Sequence, residues 1–189
     1  GVVTPTLYDP VSVLMLDFVG FTEMALSADP SVTVSELNDI YSAFDRIGEQ
    51  FGCERIKTMG DAYITVAGLP DPTPDHCSAI ANTAIRFVRY LERRNLSHPN
   101  IWRCRIGLAT GAVVGSVVGI QKYVYDIFGP AVNLASRLQD CSESMQISIN
   151  QPVFDALHNE FLLELIGPKK LKGFGEQTVY KLKDSYSEK

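Results

Sequence analysis

The order of apolar runs and amphipathic segments restricts the folds open to this 189-residue chain. A short apolar run predicts a buried strand, whereas apolar residues three and four apart predict a helix. These patterns predict a strand at 11–16, a helix at 33–48, two strands within 55–67, a helix at 80–91 and a strand pair at 103–118. Strand–helix–strand–strand–helix–strand is the split βαβ order of ferredoxin-like folds. We expect one α+β domain over residues 1–189, a ferredoxin-like βαββαβ core with additional C-terminal strands and helices.

Local sequence signals predict some of the boundaries of the helices and strands. Thr33 and Glu36 have the spacing of a capping box, which predicts a helix start there. The residues Met59-Gly60-Asp61 predict a tight turn between two strands. The Gly129-Pro130 pair predicts a break followed by a helix to about residue 139.

The uncharged segment 106–120 has glycines at every fourth position, as in some membrane helices. It is shorter than the about 20 residues that cross a bilayer. It is also rich in valine and has Thr110-Gly111 in its middle. We therefore interpret it as a buried β-hairpin and expect no membrane contact by this domain.

Composition narrows the classes of partner. The chain is 46% hydrophobic and 21% charged, as in ordinary globular proteins. Its formal charge of −5 argues against nucleic-acid binding, which needs a basic face. An anionic substrate therefore needs a local basic cluster, and Lys169, Lys170 and Lys172 form one in the sequence.

Two carboxylates lie at predicted strand ends. Asp17 follows the first strand and Asp61 lies in the hairpin turn, so the two converge if their strands are neighbours. Paired carboxylates suit Mg²⁺ or Mn²⁺, which bind one or two carboxylates together with substrate phosphates. Gly20 predicts a turn whose following amides, at Phe21 and Thr22, can hold phosphate oxygens. Each Asp alone is more typical of an ordinary turn or cap than of a metal ligand, and the combination with Asp126, Asn133 and Arg137 favours the metal site.

A second polar group follows the Gly129-Pro130 break. Asn133 and Arg137 are four residues apart, so they project from one helical face and can grip one polar group. Asp126 ends the preceding apolar run. An amide and a guanidinium on one face, next to a carboxylate, favour a nucleotide or phosphate site.

These motifs together resemble the catalytic domain of class III nucleotidyl cyclases, which make cyclic AMP or cyclic GMP from the triphosphate. The matching segments occur in the family's order and cover roughly residues 11–182. They are LDFVGFT at 16–22, KTMGDAY at 57–63, YDIFG at 125–129, VNLASRL at 132–138 and LKGFG at 171–175.

The resemblance implies a role for each residue of the site. Asp17 and Asp61 would bind two Mg²⁺ or Mn²⁺ ions, with the Phe18 carbonyl on one of them. The amides of Phe21 and Thr22 would contact the β- and γ-phosphates, and Lys172 the terminal phosphates. Asn133 would orient the ribose, and Arg137 would stabilise charge on the α-phosphate during in-line attack by the 3′-hydroxyl.

The resemblance also implies the base. Cyclic-AMP makers are similar to this chain in having Lys at position 57 and Asp or Thr at position 126, with Ile127 adjoining in the substrate site. Cyclic-GMP makers have Glu and Cys there. Lys57 can donate to adenine N1 and Asp126 can accept from its N6 amino group, whereas guanine presents the reverse pattern. ATP is therefore the expected substrate.

In this family the metal aspartates come from one subunit, and the remaining site residues come from the other. The chain has both sets, which implies a head-to-tail homodimer with two shared sites. Relatives often have upstream regulatory or sensor domains, so we expect this to be a cytoplasmic catalytic domain of a longer protein. One position departs from the family pattern, because Gln121, followed by Lys122, replaces a phosphate-contacting Arg or Lys.

Three alternatives stay open. A guanylate cyclase is disfavoured by Lys57 and Asp126. A diguanylate cyclase or polymerase-palm enzyme shares the two-metal logic, but its Gly-Gly-Asp/Glu-Glu-Phe turn differs from Met59-Gly60-Asp61-Ala62. A catalytically inactive nucleotide-binding module is disfavoured because both aspartates, Asn133 and Arg137 are all present.

Overall fold

The computed structural model describes residues 5–27, 29–59, 62–118 and 124–187, with only the backbone described at 57–59, 116–118 and 124–126. Within these ranges it has eight strands and five helices. They are β1 (Thr6–Phe18), α1 (Phe21–Ser27), α2 (Pro30–Gln50), β2 (Glu54–Met59), β3 (Ala62–Ala67), α3 (His76–Asn95), β4 (Cys104–Val118), β5 (Val124–Phe128), α4 (Pro130–Asp140), β6 (Ile147–Asn150), α5 (Gln151–Leu157), β7 (Phe161–Leu171) and β8 (Gly175–Ser185).

One sheet joins the described strands, in the order β2-β3-β1-β4-β6-β8-β7, with β5 paired to β4 outside this path. The first four strands and the helices α2 and α3 have the βαββαβ connectivity, and β1 pairs antiparallel with both β3 and β4. The expected ferredoxin-like α+β core is confirmed. The C-terminal strands extend the sheet beyond β4, as the sequence predicted.

The two faces of the sheet bury separate clusters because side chains alternate along each strand. Leu14, Leu16 and Phe18 of β1 lie in the cluster beneath α2 and α3. Val11 and Val13 lie in the cluster beneath α4. The alternation continues through Met15 to Asp17, which therefore projects from the α4 face.

The hairpin predicted within residues 103–118 is wrong. This segment is one strand of 15 residues, β4, and Thr110 and Gly111 lie inside its ladder with β1, opposite Ser12 and Val11. Gly111 has φ +147 and lies beside a register shift in that ladder, where a glycine marks an irregularity and not a turn. The hairpin forms one step later, between β4 and β5.

The capping box predicted at Thr33 and Glu36 is also wrong. Helix α2 starts three residues earlier, at Pro30, and Asp29 caps it by accepting a hydrogen bond of 2.9 Å from the Ser31 amide. Aspartate at the N-cap followed by proline is the stronger start signal. Thr33 is buried within the helix, and Glu36 turns towards the segment that follows α3.

No helix among the described residues is both long enough and apolar enough to span a bilayer.

Helix α4 lies directly on β4 at Gly107. A Cβ at this position would lie 2.2 Å from the Ala135 carbonyl oxygen and 2.4 Å from the Gln139 nitrogen, both backbone atoms of α4. The absence of a side chain at Gly107 therefore sets how closely the helix approaches the sheet.

We expect Gly107→Ala to lower the free energy of unfolding by about 3 kcal/mol, because α4 must move away from β4. Urea denaturation of both proteins measures the difference. Gly52→Ala is the control, because Gly52 has φ +73 with no heavy atom within 4 Å of its Cβ position, so only a backbone cost of about 1 kcal/mol applies. Equal losses in the two variants would contradict the close contact.

The Glu36 carboxylate generates a pH dependence of stability. Burial raises its pKa, but hydrogen bonds from Trp102, Asn100 and Arg94 together outweigh burial and leave the pKa below its ordinary value of 4.5. A lowered pKa in the folded state contributes stability above the unfolded pKa, and this contribution is lost as the pH falls through the folded pKa.

Glu36→Gln should therefore be less stable than the wild type at neutral pH, with a difference that narrows below about pH 4.5. Urea midpoints between about pH 7 and pH 3 measure this convergence. Glu143→Gln, at an exposed position, should follow the wild-type curve throughout. A Glu36→Gln deficit that stays constant over the whole range would contradict the assignment.

Candidate active site

Asp17 lies one residue before the end of β1 and is half-buried on the α4 face of the sheet. Its Oδ1 accepts a hydrogen bond of 2.9 Å from the Phe18 amide, which orients the carboxylate. Its partner across the β1–β4 ladder is Arg105, whose Nε is buried without a hydrogen-bond partner. The predicted metal ligand is thus a preoriented carboxylate beside a cationic side chain.

The second predicted aspartate, Asp61, lies outside the described residues, together with Gly60 of the predicted turn. The β1–β3 ladder runs to Leu16 opposite Tyr63, so Asp17 and Ala62 are the next residues on the two strands. Asp61 directly precedes Ala62 in the sequence. The convergence of the two aspartates stays a prediction, now supported by neighbouring strands in the expected register.

The predicted turn at Gly20 is confirmed by its positive φ of +70, and α1 begins at the next residue. The Val19 amide donates a hydrogen bond of 2.8 Å to the Arg103 carbonyl, which ties the turn to the segment before β4. Phe18 is buried, Phe21 is partly buried and Thr22 is exposed. The side chains of Phe18 and Phe21 therefore support the start of α1 from beneath.

Helix α4 carries the predicted amide and guanidinium. It begins at Pro130, as expected, and Gly129 before it has φ +125. Asn133 is exposed, and the Arg137 side chain is 41% exposed in an ion pair of 3.6 Å with Asp140. This ion pair is solvated and weak, so a phosphate can displace the aspartate from Arg137.

Two strands that are not paired with each other in the sheet carry the residues predicted to read the base. Lys57 lies on β2 opposite Ile64, and Asp126 lies on β5 opposite Ser116. Strands β2 and β5 contact each other, although the two side chains are not described. The Ile127 side chain is 2% exposed within the cluster beneath α4, so it is core packing and does not face a substrate.

Lys172 is exposed in the turn between β7 and β8, and Lys169 and Lys170 are exposed at the end of β7. All three lysine side chains are exposed, and their role as a local basic cluster stays a prediction. Gln121 and Lys122, at the position that departs from the family pattern, lie outside the described residues.

The donor set around Asp17 fits a magnesium or manganese ion. Mg²⁺ keeps several waters and takes one or two carboxylates plus substrate phosphates, so it does not need a cage of protein ligands. Among the described residues no group of three His, Cys, Asp or Glu side chains could form such a cage. The ligands that fit the ion are Asp17, the predicted Asp61 and the oxygens of a bound triphosphate.

Sequence reasoning missed one polar cluster close to this site, formed by Glu36, Arg94, Asn100 and Trp102. The signal was present, because Glu36 lies three residues after Thr33 and four before Ile40, on the buried face of α2. An acidic side chain at such a position requires a buried partner.

An apolar cleft among the described residues lies elsewhere. It has a volume of about 510 Å³ and lies between the start of β1 and the loop that precedes α3. Its lining residues on β1 are 7–11, at the end of the strand remote from Asp17.

Comparison with known proteins identifies the family. Residues 3–184 match the model of the adenylate and guanylate cyclase catalytic domain. An adenylate cyclase of Mycobacterium tuberculosis is 41% identical over 175 residues, which cover 93% of this chain and 40% of that protein. A receptor-type guanylate cyclase of Caenorhabditis elegans is 36% identical over 181 residues, which cover 93% of this chain and 14% of that protein.

The fold agrees with this assignment. The guanylate cyclase domain of a Catenaria anguillulae protein, solved in complex with GTP, superposes with a TM-score of 0.90 at 25% identity and covers 95% of this chain and 99% of that domain. The chain spans about two fifths of the length of its mycobacterial relative. Because the family model matches nearly the whole chain, this chain belongs to the catalytic domains of the class III adenylate and guanylate cyclases.

Proposed function

We propose that this domain is an adenylate cyclase that converts ATP to 3′,5′-cyclic AMP and pyrophosphate. The observation that carries the choice of base is the pair Lys57 and Asp126, on two strands that contact each other. An ammonium donates to adenine N1, and a carboxylate accepts from the N6 amino group. Guanine has a donor at N1 and an acceptor at O6, so both contacts would be mismatched, which costs a few kcal/mol in a desolvated site.

The phosphates are bound by groups with distinct tasks. The amides of Phe21 and Thr22, at the start of α1, donate to the β- and γ-phosphates, and Lys172 neutralises the terminal phosphates. Asn133 orients the ribose, and Arg137 donates to the α-phosphoryl oxygens as charge develops there. When bound, two Mg²⁺ or Mn²⁺ ions held by Asp17, Asp61 and the Phe18 carbonyl supply Lewis acidity at the reacting phosphate and the 3′-hydroxyl.

We propose further that the site is shared across a head-to-tail homodimer. One subunit contributes Asp17, Asp61 and the amides of α1, and the other contributes the remaining set, namely Lys57, Asp126, Asn133, Arg137 and Lys172. The exposure of Asn133 and the partial exposure of Arg137 on α4 support a role at such an interface. A two-fold axis then generates two equivalent sites.

The longer relatives support a place for this domain in a larger regulated protein. The mycobacterial adenylate cyclase extends well beyond the matched region. We propose that an upstream regulatory or sensor domain controls the activity and that the catalytic domain works in the cytoplasm.

Guanylate cyclase activity is the second candidate, because guanylate cyclases of several organisms are 36% identical to this chain. An inactive nucleotide-binding module is the third. Asp17, Asp61, Asn133 and Arg137 are all present, which favours an active enzyme over this third candidate.

Product formation from ATP and GTP, with Mg²⁺ and with Mn²⁺, tests the proposal. We expect cyclic AMP from ATP, no product after chelation of the metal, and specific activity that rises with protein concentration as the dimer forms. Lys57→Glu combined with Asp126→Cys should shift the preference towards GTP by at least about 100-fold. Cyclic GMP as the main wild-type product would contradict the assignment of the base.

Complementation tests the shared site. Asp17→Ala and Arg137→Ala should each retain less than about 1% of the activity, because each removes a group that acts on the reacting phosphate. Mixing the two variants should restore activity through heterodimers in which one of the two sites is intact. The control is each variant mixed with itself at the same total concentration. Two dimeric variants that show no recovery on mixing would exclude the shared site.

A further inference from the structure

Trp102 is the only tryptophan of the chain, and its side chain is fully buried directly beneath the site. Its ring lies edge-on to Phe18, with ring centroids 5.0 Å apart and an interplanar angle of 80°. The Phe21 ring lies 6.2 Å away at 49°. Phe18 and Phe21 are two of the three residues whose backbone groups are proposed to hold a metal ion and the phosphates, the third being Thr22.

The orientation of the Trp102 side chain is set by Glu36. The indole Nε1 donates a hydrogen bond of 2.7 Å to Glu36 Oε2, and Arg94 donates to the same oxygen at 3.1 Å. Asn100 donates to Glu36 Oε1 at 2.6 Å. Three donors on one carboxylate of which 17% is exposed form a strong, directional set of charge-assisted bonds.

The backbone of Trp102 is held as firmly as its side chain. Its amide donates a hydrogen bond of 3.0 Å to Asn95 Oδ1, and its carbonyl accepts a hydrogen bond of 2.9 Å from Asn95 Nδ2. The next residue, Arg103, accepts the hydrogen bond from the Val19 amide. Helices α2 and α3 thereby hold one aromatic side chain against the turn at 18–21.

We propose that Trp102, oriented by Glu36, is a positioning residue for the metal–triphosphate complex. It touches no substrate atom. It holds Phe18 and Phe21 so that the carbonyl of the first and the amide of the second keep the spacing that the ion and the phosphate require. This inference rests on the proposed function, and it assigns to a buried cluster a task beyond core packing.

The reason for expecting an effect on binding is geometric. Groups that bind phosphate or metal must keep their productive positions within about 0.5 Å. A tryptophan whose orienting hydrogen bond is weakened or lost can tilt, and the two phenylalanine rings packed on it must follow. The cluster that includes Phe18 is otherwise large and apolar, so the fold should survive this change better than the site does.

The single tryptophan provides a readout that does not depend on turnover. The probe is Mg²⁺ with 3′-deoxy-ATP, which lacks the attacking hydroxyl and cannot be cyclised. In the wild type we expect a saturable change in tryptophan emission as the complex binds. In Glu36→Gln we expect the dissociation constant to rise about tenfold, with a smaller emission change at saturation and a KM for ATP that rises in parallel.

Two further variants separate positioning from general destabilisation. Trp102→Phe keeps an aromatic ring in the core but lacks the indole N–H, so by calorimetry it should show a loss of affinity similar to that of Glu36→Gln. The double variant should be no weaker than either single one, because Glu36→Gln weakens and Trp102→Phe removes the same charge-assisted hydrogen bond. Tyr180→Phe is the matched control: it removes a 2.6 Å hydrogen bond to Gln151, away from β1, and should leave affinity unchanged.

The outcomes of these experiments distinguish the positioning role from the proposed function. Wild-type affinity in folded Glu36→Gln, or an equal loss of affinity in Tyr180→Phe, overturns the positioning role and leaves the proposed function intact. Tryptophan emission that stays constant while calorimetry shows saturable binding also overturns the positioning role and leaves the proposed function intact. Cyclic GMP as the product, with the emission change produced by 3′-deoxy-GTP, overturns the base assignment but supports the positioning role. A wild type that neither binds nor converts a nucleotide overturns both.

Discussion

The pairing of β1 with β3 on one side and β4 on the other is the constraint on which the rest of the structure depends. Because side chains alternate, this register directs Leu14, Leu16 and Phe18 into one core and leaves Asp17 on the opposite face, with α4. A slip of one residue would move the carboxylate into the cluster beneath α2 and α3 and turn the apolar set to the α4 face. The position of the Asp17 carboxylate and the stability of the sheet therefore have one cause.

The candidate site is distributed over elements that different contacts hold in place. Asp17 depends on the β1 ladder, Asn133 and Arg137 depend on the close approach of α4 to Gly107, and Lys172 lies on the turn between β7 and β8. Such a distribution suits an enzyme that works mainly by positioning and electrostatics. The cluster of Glu36 and Trp102 adds a buried support beneath the turn that follows Asp17.

Local sequence patterns predicted much of this structure because their signals were strong and short in range. The strand before Asp17, the turn at Gly20 and the helix from Pro130 follow from apolar runs and from glycine and proline chemistry. The prediction failed where a local signal had two interpretations. Thr110-Gly111 is as typical of a bulge within a strand as of a turn, and the spacing of Thr33 and Glu36 suits a helix interior as well as a cap.

The sequence by itself determined the identity and order of the chemical groups along the chain. Five motifs in the family's order carry these groups, and they were sufficient to identify the family. Only the tertiary structure decided which groups share a face, that β4 continues as one strand, and that Glu36 bonds to Trp102 across 66 positions of the chain. The physical reason is that hydrogen-bond partners and packing contacts far apart in the sequence are selected by the fold as a whole. Residue type determines which interactions a side chain can make, and the packing of the sheet and its helices determines which partners it contacts.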